Sequence, residues 1–365
     1  MGIKDLTEIT NRYGGDKDFV LAGGGNTSFK DGEVMFVKPS GTSMADIGPG
    51  DFVKMDLPGL KEIMKRQYPE QSAAREAMAL EDLMNARVPG ESRRPSVETL
   101  LHALLPYKYV VHTHPALVNG LTCSVLGPEI AEELFGTEAL WVPVVNPGYI
   151  LARTINDMLE KHRAGGGGDS IIFLQNHGVF IQADTLAAID AVYDKVVSAL
   201  TSRLKRFPVR DFTVPSALSE DAVADMVSGD AELKAAGALN ADLEAYLQDF
   251  ESFEPLSLSF TPDHIVYCGF KPLYCEGAEE IADAYREHAA TFGAPAKILA
   301  VRGAGIFGLG STARAAELAR EVFLDGVKIA VYTESFGGHR FMPRDKIDFI
   351  RNWEVEQYRS SVSGG

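Results

Sequence analysis

The sequence predicts an α/β protein: an α/β/α-layered domain around a mixed sheet, followed by a smaller α/β domain. Three observations predict it. Short β-branched apolar runs alternate with stretches whose apolar residues recur at helical spacing. At 365 residues the chain is longer than one ordinary domain. Residues 208–235, with Pro208, Pro215 and scattered Ser and Asp, break the pattern and read as a linker. The expected division is therefore 1–207, the linker, and 236–365.

In the first domain Phe19–Ala22 reads as a strand, and Gly23-Gly24-Gly25-Asn26-Thr27-Ser28 leads into a hairpin turned at Asp31-Gly32, with Val34–Val37 returning. Residues 71–87 and 97–105 have helical spacing, and Ser96 stands where the second helix wants an N-cap. Tyr109–His114 is a strand stopped by Pro115, and Leu140–Val145 is another. A helix at 150–163, a turn at Gly165–Gly168, a strand over 170–181 broken near Asn176-His177-Gly178, and a helix at 185–206 complete this half. The second domain reads as helix 240–250, strand 264–269, helix 277–292, strand 297–302 and a long helix from 311.

Hydrophobic residues make up 45% of the chain and charged ones 24%, an ordinary globular balance. No apolar run is long enough for a membrane span, and the N-terminus lacks a secretory pattern. Three cysteines without a CxxC pair suit a reducing compartment, so the expected location is the cytoplasm. A net charge of −16 repels nucleic acid, and no basic run offsets it. Any phosphate must be met by local groups.

His112 and His114 stand two residues apart, and strand positions i and i+2 face the same way. Both imidazoles can therefore reach one ion. His177 ends another predicted strand, before Gly178, whose missing side chain is expected to leave a coordination position open. Three imidazoles with one open position describe a catalytic zinc arrangement, and neutral imidazole also suits other late first-row divalent ions. The alternative is a set of satisfied or surface histidines. Glu98, near the start of the helix leading to the His112 strand, reads either as a reacting carboxylate or as a dipole-stabilising one. His102, four residues on, either orients that carboxylate or packs in the core. His162, His264, His288 and His339 read as structural.

Two turns offer backbone N–H groups and hydroxyls to an anion: Gly23–Ser28 and Lys38-Pro39-Ser40-Gly41-Thr42-Ser43. Each also reads as a plain turn, and neither has P-loop spacing. Gly303-Ala304-Gly305-Ile306-Phe307-Gly308 fits the dinucleotide spacing formally. Residues 312–332 stay helical, which leaves no second strand to hold the ribose, so no nicotinamide nucleotide is expected there.

Taken in order, Gly25-Asn26-Thr27-Ser28, Lys38-Pro39-Ser40-Gly41-Thr42, Pro95-Ser96-Val97-Glu98, His112-Thr113-His114-Pro115 and Asn176-His177-Gly178 resemble the motif set of the class II aldolase/adducin family over about residues 5–205. Residues 262–355, with GAGIFGLG and the NWEVEQYR tail, are similar to the part that follows the aldolase domain in longer bacterial rhamnulose-1-phosphate aldolases. Those proteins carry a further short-chain dehydrogenase domain that this chain lacks. The resemblance implies a class II aldolase domain in which His112, His114 and His177 hold Zn2+ or another divalent first-row metal. It implies Glu98 as the catalytic acid/base, and Gly25, Asn26, Ser40, Gly41 and Ser96 as substrate and phosphate contacts. Val97 stands where fuculose-phosphate aldolases have a second Ser, with Lys38 as a replacement contact. Cleavage of a ketose 1-phosphate, rhamnulose 1-phosphate-like, to dihydroxyacetone phosphate and a short aldehyde is the implied reaction, through an ene-diolate. Relatives run epimerisation, decarboxylation or dehydration at the same centre, and adducin-like members are scaffolds without the metal ligands. A homo-oligomer, tetramer or dimer, is also implied, with a tyrosine at the departing aldehyde oxygen for which Tyr149 is the candidate.

Overall fold

A computed structural model of the chain describes residues 2–229 and 232–353. Two compact units form, Met1–Val118 with Pro128–Ser202, and Asn119–Gly127 with the chain from Arg203 onward. The first unit begins with α1 (Ile3–Gly14), β1 (Asn26–Asp31), β2 (Val34–Val37), β3 (Val53–Asp56), α2 (Leu57–Ile63), α3 (Ser72–Asn85), α4 (Thr99–Leu104) and β4 (Tyr109–Thr113). Then α5 (Ala116–Thr122) leads the chain into the second unit, and α6 (Gly127–Phe135) returns it. β5 (Ala139–Val142), α7 (Tyr149–Ala164), β6 (Ile171–Leu174), β7 (Gly178–Ala183) and α8 (Leu186–Thr201) follow.

Seven strands make one sheet, ordered β3-β2-β1-β4-β7-β6-β5 and antiparallel except for the β5–β6 pair. β4 is the middle strand, and all five of its residues are buried, as expected of a strand covered on both faces. One face is closed by α2, α3, α4 and α7. In α7 the stripe Leu151, Ala152, Ile155, Leu159 has helical spacing, and each large apolar side chain buried there stabilises the fold by about 1.5–3 kcal/mol. α1 and α8 cover the other face, where Tyr13, Phe19 and Tyr193 pack ring against ring. The α/β/α layering around a mixed sheet is thus present.

The β1–β2 hairpin forms with a two-residue loop, Gly32 at φ 59°. Phe19–Ala22 is not a strand. It is a run of turns in which Phe19 and Val20 N–H groups return to the Asp16 carbonyl, and the sheet begins only at Asn26. Its apolar character serves the aromatic cluster instead.

The second unit holds α9 (Glu220–Val227), β8 (Lys234–Ala238), α10 (Ala241–Tyr246), α11 (Phe250–Phe253), α12 (Pro262–Cys268), β9 (Leu273–Cys275), α13 (Ile281–Phe292), β10 (Ile298–Val301), β11 (Gly305–Gly310), α14 (Ala313–Thr333) and α15 (Arg344–Asn352). Four strands form a sheet in the order β8-β11-β10-β9. The stretch 208–235 is more than a linker, because α9 within it places Val223 and Val227 in this unit's core. Of residues 264–269, read as a strand, 264–268 lie in α12, which Pro262 and a Thr261 N-cap start and Gly269 ends. The NWEVEQYR tail lies outside the described residues from position 354 on.

GAGIFG does not make a strand-to-helix turn. β10 and β11 are an antiparallel hairpin, and the glycines have packing duties. A Cβ on Gly308 would stand 2.3 Å from the Ala316 carbonyl oxygen, and one on Gly310 2.7 Å from Ala315, so these residues are small where α14 closes on β11. Residues 119–127 also pack inside this unit. Gly120 backs onto Tyr332, Ser124 bridges to His339, and the Cys123 carbonyl accepts the Arg340 N–H. All three cysteines are buried and none is in a disulfide, and no described helix is long and apolar enough to cross a membrane.

Candidate metal centre

The sheet order gathers the singled-out residues around β4. Its neighbour β1 sets Asn26 opposite His112, and β7 sets Phe180 opposite His112 on the other side. His114 follows directly after β4, its N–H held by the Phe19 carbonyl. His177 sits in the β6–β7 turn, which closes because Asn176 takes a left-handed φ of 57° and the His177 N–H returns to the Leu174 carbonyl. Glu98 stands immediately before α4, the helix that runs into β4.

The three imidazoles face one another, with ring centroids 4.7–4.9 Å apart, and their ligating nitrogens all lie within 4.8 Å of each other. His112 Nε2 and His114 Nε2 are 2.9 Å apart. Glu98 Oε1 lies 3.3 Å from His112 Nε2 and 3.7 Å from His177 Nε2. This oxygen is buried and accepts no hydrogen bond among the described residues. Burial pushes the Glu98 carboxyl up, but the imidazoles of His112, His177 and His114 outweigh it, and it titrates below the usual carboxylate range.

Whether these residues fit a metal can be judged from His112. Its Nδ1 donates to the Val179 carbonyl at 2.9 Å, which fixes the tautomer and turns the Nε2 lone pair toward the other two rings. Its ring is fully buried and stacks on Phe180 at 4.0 Å and 10°. An oriented imidazole with two more beside it is a donor set that fits a divalent cation, and the buried Glu98 carboxylate stands next to it. Left alone, such a cluster costs several kcal/mol in desolvation.

Gly178 is small for another reason than the one expected. A Cβ there would meet the Thr113 carbonyl oxygen at 2.4 Å and the His114 ring at 2.8 Å. The space is filled by β4 itself, and the glycine lets the two strands bring their histidines together.

The two anion turns lie side by side. The Lys38 N–H donates to the Thr27 carbonyl, and a Cβ on Gly25 (φ 66°) would strike Met44 Sδ at 2.7 Å and the His112 carbonyl at 3.0 Å. Asn26 is 1% exposed; its Oδ1 takes the Thr27 N–H, while its Nδ2 has no acceptor among the described residues. A buried amide left this way is a donor waiting for an acceptor. Gly41 turns at φ 75°, and the Ser40 N–H is held by the Arg94 carbonyl.

Ser96 does not cap α4. Its hydroxyl accepts the N–H of Glu98 two residues on, a local turn that orients the carboxylate-bearing residue. The Lys38 Nζ donates to the Thr42 and Pro39 carbonyls and so braces the second turn. Tyr149 is a core residue. Its ring packs edge-on against Tyr68, and its hydroxyl reaches the Arg66 carbonyl at 3.4 Å.

Sequence reading missed Arg94 and Phe180, and took Ser28 only as part of the first anion turn. Arg94 carries a guanidinium, partly sequestered from water, at the junction of the second turn and the Glu98 loop. Its signal was a second arginine directly before the Pro95-Ser96 pair. Ser28 Oγ lies 2.8 Å from His102 Nδ1, and His102, fully buried, meets the Phe180 ring edge-on.

Burial, partly offset by Glu98, pushes the His102 imidazole down to about 3 from an ordinary 6.5. The unfolded chain therefore takes up a proton that the folded one refuses between those values, and stability rises with pH across about 3 to 6.5. His102→Asn is expected to flatten that acid limb. Denaturant midpoints across pH 4 to 7 measure it, and parallel profiles for both proteins would refute it.

The model of the Class II Aldolase and Adducin N-terminal domain matches residues 4–193. The chain belongs to this family. A class II aldolase domain of a conserved protein from Thermoplasma acidophilum is 27% identical, with a TM-score of 0.47 over 55% of this chain and 93% of that one. The L-fuculose-1-phosphate aldolase of Thermus thermophilus is 16% identical, with a TM-score of 0.35 over 54% and 90%. A Bacillus subtilis (strain 168) protein named uncharacterized oxidoreductase YuxG is 28% identical over 315 residues. That match takes in 78% of this chain and only 44% of the relative's length. Within this family the histidine cluster is the group suited to a divalent metal.

Proposed function

We propose that the chain is a divalent-metal-dependent aldehyde-lyase that cleaves a ketose 1-phosphate, rhamnulose 1-phosphate-like, to dihydroxyacetone phosphate and a short aldehyde. The observation that carries this reading is the buried, donor-free Glu98 oxygen beside three converging imidazoles. A divalent cation on His112, His114 and His177 supplies Lewis-acid stabilisation of negative charge on the oxygens of the ketose.

The remaining work falls to the chain's own groups. Glu98 carries the proton at C3, delivering it once the C3–C4 bond has broken and removing it in synthesis. The Asn26 amide, the Ser40-Gly41 turn and the Arg94 guanidinium take the phosphate and fix C3 against Glu98. Val179 and Phe180 hold the His112 ring so that this register is kept.

The test is to incubate the metal-loaded protein with dihydroxyacetone phosphate and a panel of aldehydes and identify the products. A new ketose phosphate is expected. Asn26→Ala and Arg94→Gln should each raise KM for the phosphorylated substrate about 10-fold or more, as loss of a charge-assisted hydrogen bond implies. Epimerisation of a pentulose phosphate supplied in a parallel incubation, with no new ketose phosphate from the aldehyde panel, would replace the aldolase reading with the epimerase one.

A further inference from the structure

The second unit carries an open cavity of about 570 Å³ for which the function proposed above has no use. It lies between α12, the turn that follows α13, and the end of α15, and its size falls within the range of small-molecule sites. Charge sets it apart. The chain carries a net −16, yet the lining contributes Lys271, Lys297 and Arg351 and no Asp or Glu.

Neutral groups put each cation in place. Lys297 Nζ donates to the Val266 carbonyl at 2.7 Å. The Arg351 guanidinium lies 4.2 Å over the Phe270 ring and donates to the Phe292 carbonyl at 2.9 Å. Lys271 Nζ stands 5.0 Å over the Phe292 ring. Arg351 has one carboxylate at hand, Asp348 at 3.8 Å, which Arg344 already holds at 3.1 Å. Burial pushes the Lys297 ammonium below its usual range, with only the Cys268 thiol acting against this. Cations gathered in one pocket repel one another, and an anion among them removes that cost.

We propose that this cavity binds a small anionic metabolite through a phosphate monoester or carboxylate head, with Lys271, Lys297 and Arg351 as its contacts and Ile265, Phe270 and Ile350 against its carbon skeleton. The head group meets three fixed donors, and the apolar wall excludes water from the contact. The site shares no residue with the histidine centre, so the two can be loaded independently.

Calorimetric titration tests this with two probes, inorganic phosphate and malonate, on the parent protein and on an Asn26→Ala/Arg94→Gln variant. The variant removes the anion contacts assigned above to the first unit, so the result stands whether or not the aldolase reading does. One binding event is expected to survive in the variant, with the stronger probe telling phosphate from carboxylate. Lys297→Met in that background should weaken it at least about 10-fold, the effect of losing one charge-assisted contact. Arg351→Gln and Lys271→Gln, on partly exposed side chains, should weaken it similarly and keep the test decisive if Lys297→Met folds poorly. Silence with both probes in the Asn26→Ala/Arg94→Gln variant overturns the proposal, as does an affinity indifferent to all the charge substitutions.

Discussion

Glu98→Gln is expected to lower kcat by about 10²–10⁴-fold, the usual contribution of a general acid–base group, while KM moves far less. The substitution keeps size and shape, and the replaced oxygen has no donor to lose among the described residues. The melting temperature should therefore change little. Exchange of the C3 proton of dihydroxyacetone phosphate with deuterated water should fall in parallel, because that half-reaction needs the base and no aldehyde. Exchange at the parent rate would assign the proton to another residue and leave Glu98 a structural part.

The second large effect concerns the imidazoles. His112→Ala, His114→Ala and His177→Ala should each lose bound divalent metal and nearly all activity, with elemental analysis and turnover as the readouts. His112→Ala should also cost the most stability. Its ring is fully buried, stacks on Phe180 and donates to the Val179 carbonyl, so its removal leaves a cavity and an unpaired acceptor. His114 and His177 are only partly buried and should be cheaper to lose. Full metal occupancy in the triple variant would dissolve the site.

Much of this centre was legible because strand periodicity is a local rule. His112 and His114 share a face whatever the rest of the chain does, and Asn176-His177-Gly178 marks a turn by its composition. The ordered motifs then fixed which elements must meet. What stayed hidden was the cause behind the small residues. Gly178 and Gly25 are small because β4 presses against them, and Gly308 because α14 does. Such contacts join residues tens of positions apart and leave no periodic trace. For the same reason Ser96 looked like a cap and Phe19–Ala22 like a strand. Local propensity is right about apolar character and silent about what a segment packs on. Strand 264–269 failed because four apolar residues in a row do not reveal their period, and the Thr261-Pro262 start was the better signal.

The detour of residues 119–127 bears on modularity. The span matched by the family model, 4–193, is not a portable piece, because it includes a segment whose packing partners come from beyond it. Leu121 and Cys123 are fully buried, and the Arg340 N–H closes on the Cys123 carbonyl. Cutting the chain after Ser202 would strip that cover only a few residues past His114. In this chain, removing the residues beyond Ser202 is thus expected to unsettle the segment that directly follows the histidine strand.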